Sequence, residues 1–237
     1  MLYKLTRQDF TTRSGCLWGE NVTHTADGQG ALCSEHWLHA YEHPLIAVFM
    51  NPIHGNFKNP VLWECNGVVG TTDYGLKVGC TSLTTLRQIP LPKVTMEQCV
   101  RFAIACAVSV CQEPSFISWA VSWLDGTDRL EETARVAART VWAAGATGET
   151  AGASRAARAA RAVRAARAAG AAEYTARAMA GCTTRATAKC TARATEFTAQ
   201  TAALAAARTP VEEEALDLIA CAEWAVSDSA WPSENLC

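Results

Sequence analysis

The 237-residue chain lacks any apolar run approaching the ~18 residues a membrane-crossing helix needs, which excludes a helical span. None of its 11 cysteines forms a Cys-x-x-Cys pair, and their number is odd and their spacing irregular. Neither a metal ribbon nor a complete disulfide framework is therefore expected. Met-Leu-Tyr-Lys at the start does not read as a secretory leader, so the thiols are expected to be reduced, cytoplasmic and in several cases small core residues. The glycosylation pattern Asn21-Val22-Thr23 then has no expected use. There is no Gly-x-Ser-x-Gly and no phosphate loop ending in Gly-Lys-Ser/Thr, so no catalytic signature stands out.

Acid is missing where base is densest. No Asp or Glu lies between Glu149 and Glu173, the stretch that holds Arg155, Arg158, Arg161, Arg164 and Arg167 at every third position. Residues 151–210 carry 10 basic and 2 acidic side chains, whereas 211–237 carry 7 acidic and none basic. The whole chain is nevertheless near neutral at −2. A free polybasic arm would point to nucleic acid, but adjacent blocks of opposite sign point first to pairing within the chain or between copies.

What is present divides into two halves. Residues 1–94 read as a small β-rich domain, with strands over Leu2–Leu5, Val61–Val69, Leu76–Cys80 and Leu83–Ile89 separated by glycine turns. Trp18, Trp37, Phe49, Phe57 and Trp63 supply its core. Pro44 opens a short helix that Asn51-Pro52 is expected to close. Residues 95–237 read as helical. Thr95 with Gln98 makes a capping box for a helix through Cys111. Pro114 opens the next, which Gly126 stops, and Asp128 with Glu131 opens another that ends near Gly145.

Residues 151–210 contain 26 alanines and few large apolar side chains: Val163, Tyr174, Met179, Phe197 and Leu204. Alanine is the best helix former, so two long antiparallel helices are expected, broken near Gly170 or Gly181. Pro210 is expected to open a last acidic helix with Leu216, Ile219, Ala220 and Trp224 on one face. The fold class is thus α+β, a β-rich domain followed by an alanine-rich antiparallel bundle. Expansion of a GC-rich nine-base unit could equally have produced the Ala-Ala-Arg repeat.

The five arginines sweep through about 240° of a helix and form no single stripe. Their like-charge neighbours at i,i+3 cost roughly 1–2 kcal/mol together, which calls for an offset. The acidic block from Glu212 could fold back on them, or an anionic ligand could bind between helices through bidentate arginine contacts. Arg185, Lys189 and Arg193 make a second basic row, beside a threonine stripe. Arg155, Arg158, Arg161, Arg185 and Arg193 are the candidate phosphate contacts, and Trp37, Tyr41 and Tyr174 the candidate stacking rings.

In LCSEHWLHAYEHP a helix would bring Cys33, His36, His39 and His43 near one face, a possible zinc set. The segment is not clearly helical, and Trp37 and Tyr41 suggest packing instead, so no metal and no cofactor is expected. His54-Gly55-Asn56 could border a pocket.

LYKLT, WGENVTHTADGQGALC, WLHAYEHPLIAVFMNPIH, LWECNGVVG, GLKVGC and LRQIPLP together resemble a family of unknown function common in phage and prophage proteins. The resemblance covers the first ~95 residues and implies an alanine-rich helical tail of variable length. It implies that positions matching Cys33 and His39 recur, whereas His36 and His43 do not belong to the pattern. It implies no reaction. Its context implies action in the cytoplasm of an infected bacterium. The leading expectation is a non-catalytic counter-defence protein that sequesters an anionic nucleotide signal, a cyclic oligonucleotide or ADP-ribose derivative. A homo-oligomer is expected, without membrane or nucleic-acid partners. The alternatives are an assembly module whose basic and acidic helices pair, and a nucleotide-processing enzyme around His39 and His54.

Overall fold

The computed structural model describes residues 1–13, 15–73, 75–108, 114–130, 133, 136–137 and 217–229. The chain divides into two units, Met1–Lys93 and Val94–Cys237. The first holds an antiparallel sheet and one helix, the second helices, so the protein is α+β.

In the first unit a long hairpin is the frame. β4 (Val61–Thr72) pairs antiparallel with β5 (Val78–Ile89) through a turn in which Asp73 N–H donates to the Lys77 carbonyl at 2.8 Å. Gly75 supplies the positive φ of 89° that this turn requires. The strands expected separately at 76–80 and 83–89 are one. Thr81 falls at a register shift between Val68 and Val69 without ending the strand, because Cys80 and Ser82 on either side of it pair with β4 and Ser82 also pairs with Thr25.

β1 (Leu2–Thr6) lies along β4, with Lys4 opposite Trp63 and Leu5 opposite Leu62. β2 (Val22–Thr25) and β3 (Leu38–Ala40) share the other edge of β5. Three register shifts along β4 coil the hairpin. This lets Tyr3 and Tyr41 exchange two backbone hydrogen bonds of 2.8 Å, closing the circuit β1–β4–β5–β3 on itself. Leu2, Trp18, Ala40, Trp63, Cys65, Val78, Cys80 and Leu83 form the core within it.

α1 (Pro44–His54) starts on the His43 side chain, which accepts from Leu45 N–H. It buries Ile46, Ala47, Phe49 and Met50 and packs on β1. The expected stop at Asn51-Pro52 is overrun by two residues. Proline in the last turn forfeits one hydrogen bond only, and the chain turns instead where Asn51 holds both the N–H (3.1 Å) and the carbonyl (3.0 Å) of Phe57.

In the second unit, α2 (Met96–Val108) begins with the expected capping box. Thr95 N–H donates to Gln98 Oε1 at 2.8 Å, and Gln98 N–H to Thr95 Oγ1 at 3.2 Å. α3 (Pro114–Leu124) buries Phe116, Trp119, Ala120 and Trp123 and is followed by Gly126 at φ +83°. Asp128 then accepts from Leu130 N–H, and Thr133, Val136 and Ala137 are helical.

α4 (Leu218–Val226) is capped by Asp217, which accepts from Ile219 and Ala220 N–H groups. It packs on α2. Its buried face is Leu218, Cys221, Ala222 and Ala225, not the expected Ile219, Ala220 and Trp224; Leu216 lies outside the described residues. Arg101 explains the rotation. Its guanidinium lies 4.3 Å from the centre of the Trp224 ring and donates to the carbonyls of Ser227 (2.8 Å) and Ser229 (2.9 Å), holding the indole at the rim. Gln98 adds a bond to the Val226 carbonyl. α4 thus packs on a helix more than a hundred residues earlier in the chain; the alanine-rich segment expected to form an antiparallel bundle lies outside the described residues.

Candidate functional site

A cavity of about 620 Å³ opens in the first unit, within the size range of small-molecule sites. Strand alternation puts Leu2, Lys4 and Thr6 on the core face of β1, so a lysine enters the interior beside Trp63. Lys4 is 6% exposed. Its Nζ donates to the His39 carbonyl at 2.9 Å and sits 4.3 Å from the centre of the Trp18 ring. No described carboxylate pairs with it. Burial brings its pKa down to about 8. Burial pushes Cys65 up to about 12, Cys80 up to about 11, and Cys16 also upward. All three stay neutral thiols at neutral pH and give Lys4 no counter-charge.

A second buried lysine lines the cavity. Lys77, also 6% exposed, donates through Nζ to Cys33 Sγ at 3.0 Å. With Arg13 the wall carries three cations against one carboxylate, Glu35. Its aromatic members include Trp18, Trp37, Tyr41 and Phe57.

The two described stacking candidates meet here. Trp37 is half-buried, with its Nε1 donating to the Gly30 carbonyl at 3.3 Å. Its ring lies so close over Gly28, Gly70 and Gly79 that a Cβ on any of them would come within 3.3 Å of it. Tyr41 is buried; one face of its ring stacks on His54, with centroids 5.8 Å apart, and its hydroxyl meets His54 Nδ1 at 3.2 Å. His54 and Gly55 border the cavity, as the sequence suggested. Arg155, Arg158, Arg161, Arg185, Arg193 and Tyr174 lie outside the described residues.

The four metal candidates go to different partners. Residues 33–43 form turns and β3 rather than a helix. His36 Nδ1 bonds Asp27 at 2.8 Å, His39 Nε2 bonds the Leu32 carbonyl, His43 caps α1, and Cys33 accepts from Lys77. Among the described residues no three His, Cys, Asp or Glu side chains gather to hold a metal. Because a carbonyl only accepts, His39 carries its proton on Nε2. Burial lowers its pKa, leaving it neutral at neutral pH.

Lys4 and Lys77 were not singled out from the sequence. In LYKLT both parities, Leu2/Lys4 and Tyr3/Leu5, contain apolar residues, so alternation alone does not say which points inward. No helix among the described residues is long and apolar enough to cross a membrane. Compared with protein-family models, curated proteins and solved structures, the chain matches none of them.

Proposed function

We propose that the first unit is a non-catalytic binding module for a small anionic, aromatic ligand of nucleotide size. The observation that carries this reading is a cavity walled by two nearly fully buried lysines, whose described lining residues include one carboxylate, the exposed Glu35. An anion entering it would gain charge-assisted hydrogen bonds at low local dielectric, and the tryptophan and tyrosine rings offer apolar surface to a base. The phage-family resemblance supports a setting, the cytoplasm of an infected bacterium, in which such a protein sequesters a cyclic oligonucleotide or ADP-ribose-derived signal. Arg155, Arg158, Arg161, Arg185 and Arg193 remain candidate phosphate contacts from an alanine-rich antiparallel bundle.

The test is incubation with cyclic dinucleotides, cyclic oligonucleotides and ADP-ribose derivatives, followed by chromatography of the free ligand before and after heat denaturation. Depletion followed by intact release supports sequestration. Release of an altered compound indicates an enzyme, and a ligand that stays free throughout refutes binding. The charge separation between residues 151–210 and 211–237 favours a second reading, an assembly module in which these segments pair between copies. It predicts a homo-oligomer that salt dissociates.

A further inference from the structure

We propose that Lys4 Nζ is a nucleophilic amine, and that the cavity takes a small aldehyde or ketone bearing an anionic group and captures it as an imine. The inference rests on the anion-binding reading of the same cavity and adds the chemical class of the ligand. Lys4 is held for such a role. Its backbone is locked between β4 on one side and the Tyr3–Tyr41 pair on the other. The His39 carbonyl takes one N–H and fixes the amine at the cavity wall. An ordinary buried lysine is matched by a carboxylate. Here no described carboxylate pairs with it, and the titratable side chains around it include the thiols Cys16, Cys65 and Cys80 and the His39 imidazole. With its pKa near 8, about 300-fold more of Lys4 is free amine at neutral pH than of a lysine at 10.5. Lys77 supplies a second cation in the same wall for the anionic group.

The chemistry balances without an oxidant. The Nζ lone pair attacks the carbonyl carbon, and the C=O pair moves to oxygen, which takes a proton. The resulting carbinolamine loses its hydroxyl as water, nitrogen gives up its remaining excess proton to solvent, and a C=N bond stands where C=O stood. One water leaves for each ligand bound.

The probe is pyridoxal 5′-phosphate, an aromatic aldehyde with a phosphate, added to the full chain near neutral pH and fixed by cyanoborohydride. Peptide mapping then locates the reduced adduct. The expected result is one adduct per chain on Lys4, at least about tenfold ahead of the exposed Lys58 and Lys93. Pyridoxal without its phosphate should react about tenfold more slowly. Label spread over Lys58 and Lys93, or placed on Lys77, overturns the proposal, and the mapping needs no variant that might fail to fold. If nucleotides bind but Lys4 stays unlabelled, the imine fails and the anion site stands. If pyridoxal labels Lys4 as fast as its phosphate and no nucleotide binds, the amine stands and the anionic part fails.

Discussion

Replacing Lys4 by methionine should stabilise the protein, and by an amount that depends on pH. Methionine keeps most of the stem's apolar contacts and removes the ammonium. In the folded state the lysine pKa falls from 10.5 to about 8, so the unfolded chain binds more protons throughout that window. The parent is therefore penalised when the lysine is charged, and it gains stability as pH rises from about 8 to about 10.5. A shift of this size corresponds to about 3 kcal/mol. Near neutral pH the variant should be more stable by roughly 1–3 kcal/mol, the lower figure allowing for the hydrogen bond lost at the His39 carbonyl. About 3 kcal/mol of the difference between the two proteins should disappear by about pH 10.5.

The buried thiols act in the opposite sense. Cys65 and Cys99 are raised to about 12, so their contribution is full below about 9 and is lost as pH rises further. They are common to parent and variant and largely cancel in the difference. The assay is equilibrium urea unfolding of both proteins across this range, followed by tryptophan fluorescence. A difference that stays flat within about 0.5 kcal/mol, or widens as pH rises, would refute the assignment of Lys4 as a desolvated, unpaired cation.

Three further outcomes are expected. Among the described cysteines of the native protein, iodoacetamide should modify the exposed Cys33 first and leave the buried Cys65, Cys80, Cys99, Cys106 and Cys221 until denaturant is added, as timed peptide mass spectrometry would show. Gly70→Ala should destabilise by about 1–3 kcal/mol, because its Cβ would stand 2.6 Å from the Trp37 ring; a thermal melt within a degree of the parent would contradict the packing. Asp217→Ala should cost about 1 kcal/mol through loss of the α4 cap, whereas Asp217→Asn should cost much less, measured by chemical denaturation.

Local signals in the sequence were legible where one residue type answers one backbone need. The Thr95/Gln98 box, Pro114 at a helix start and Gly126 after a helix end all stand where the pattern put them. Signals that depend on tertiary context were not. Pro52 normally ends a helix, yet the Asn51 side chain moved the turn beyond it. The face of α4 could not be read because Arg101, more than a hundred residues away, decides where Trp224 lies. The cavity was legible only at its rim, through Trp37, Tyr41 and His54. Its charge came from Lys4 and Lys77, two isolated lysines whose burial follows from the closure of the sheet rather than from any neighbour in sequence.

The Arg101 and Gln98 clamp on α4 also bears on how the chain is made. A ribosome delivers α2 early and α4 about 120 residues later, and synthesis at ~5–20 residues per second separates them by roughly 6–24 s. Through that interval Cys106, whose thiol bonds that of Cys221, lacks its α4 partner, and α2 lacks one of the two described helices that pack on it. The nascent chain therefore carries an apolar helix surface for seconds, long enough for a ribosome-associated chaperone to bind it. Each added Ala-Ala-Arg unit lengthens the wait.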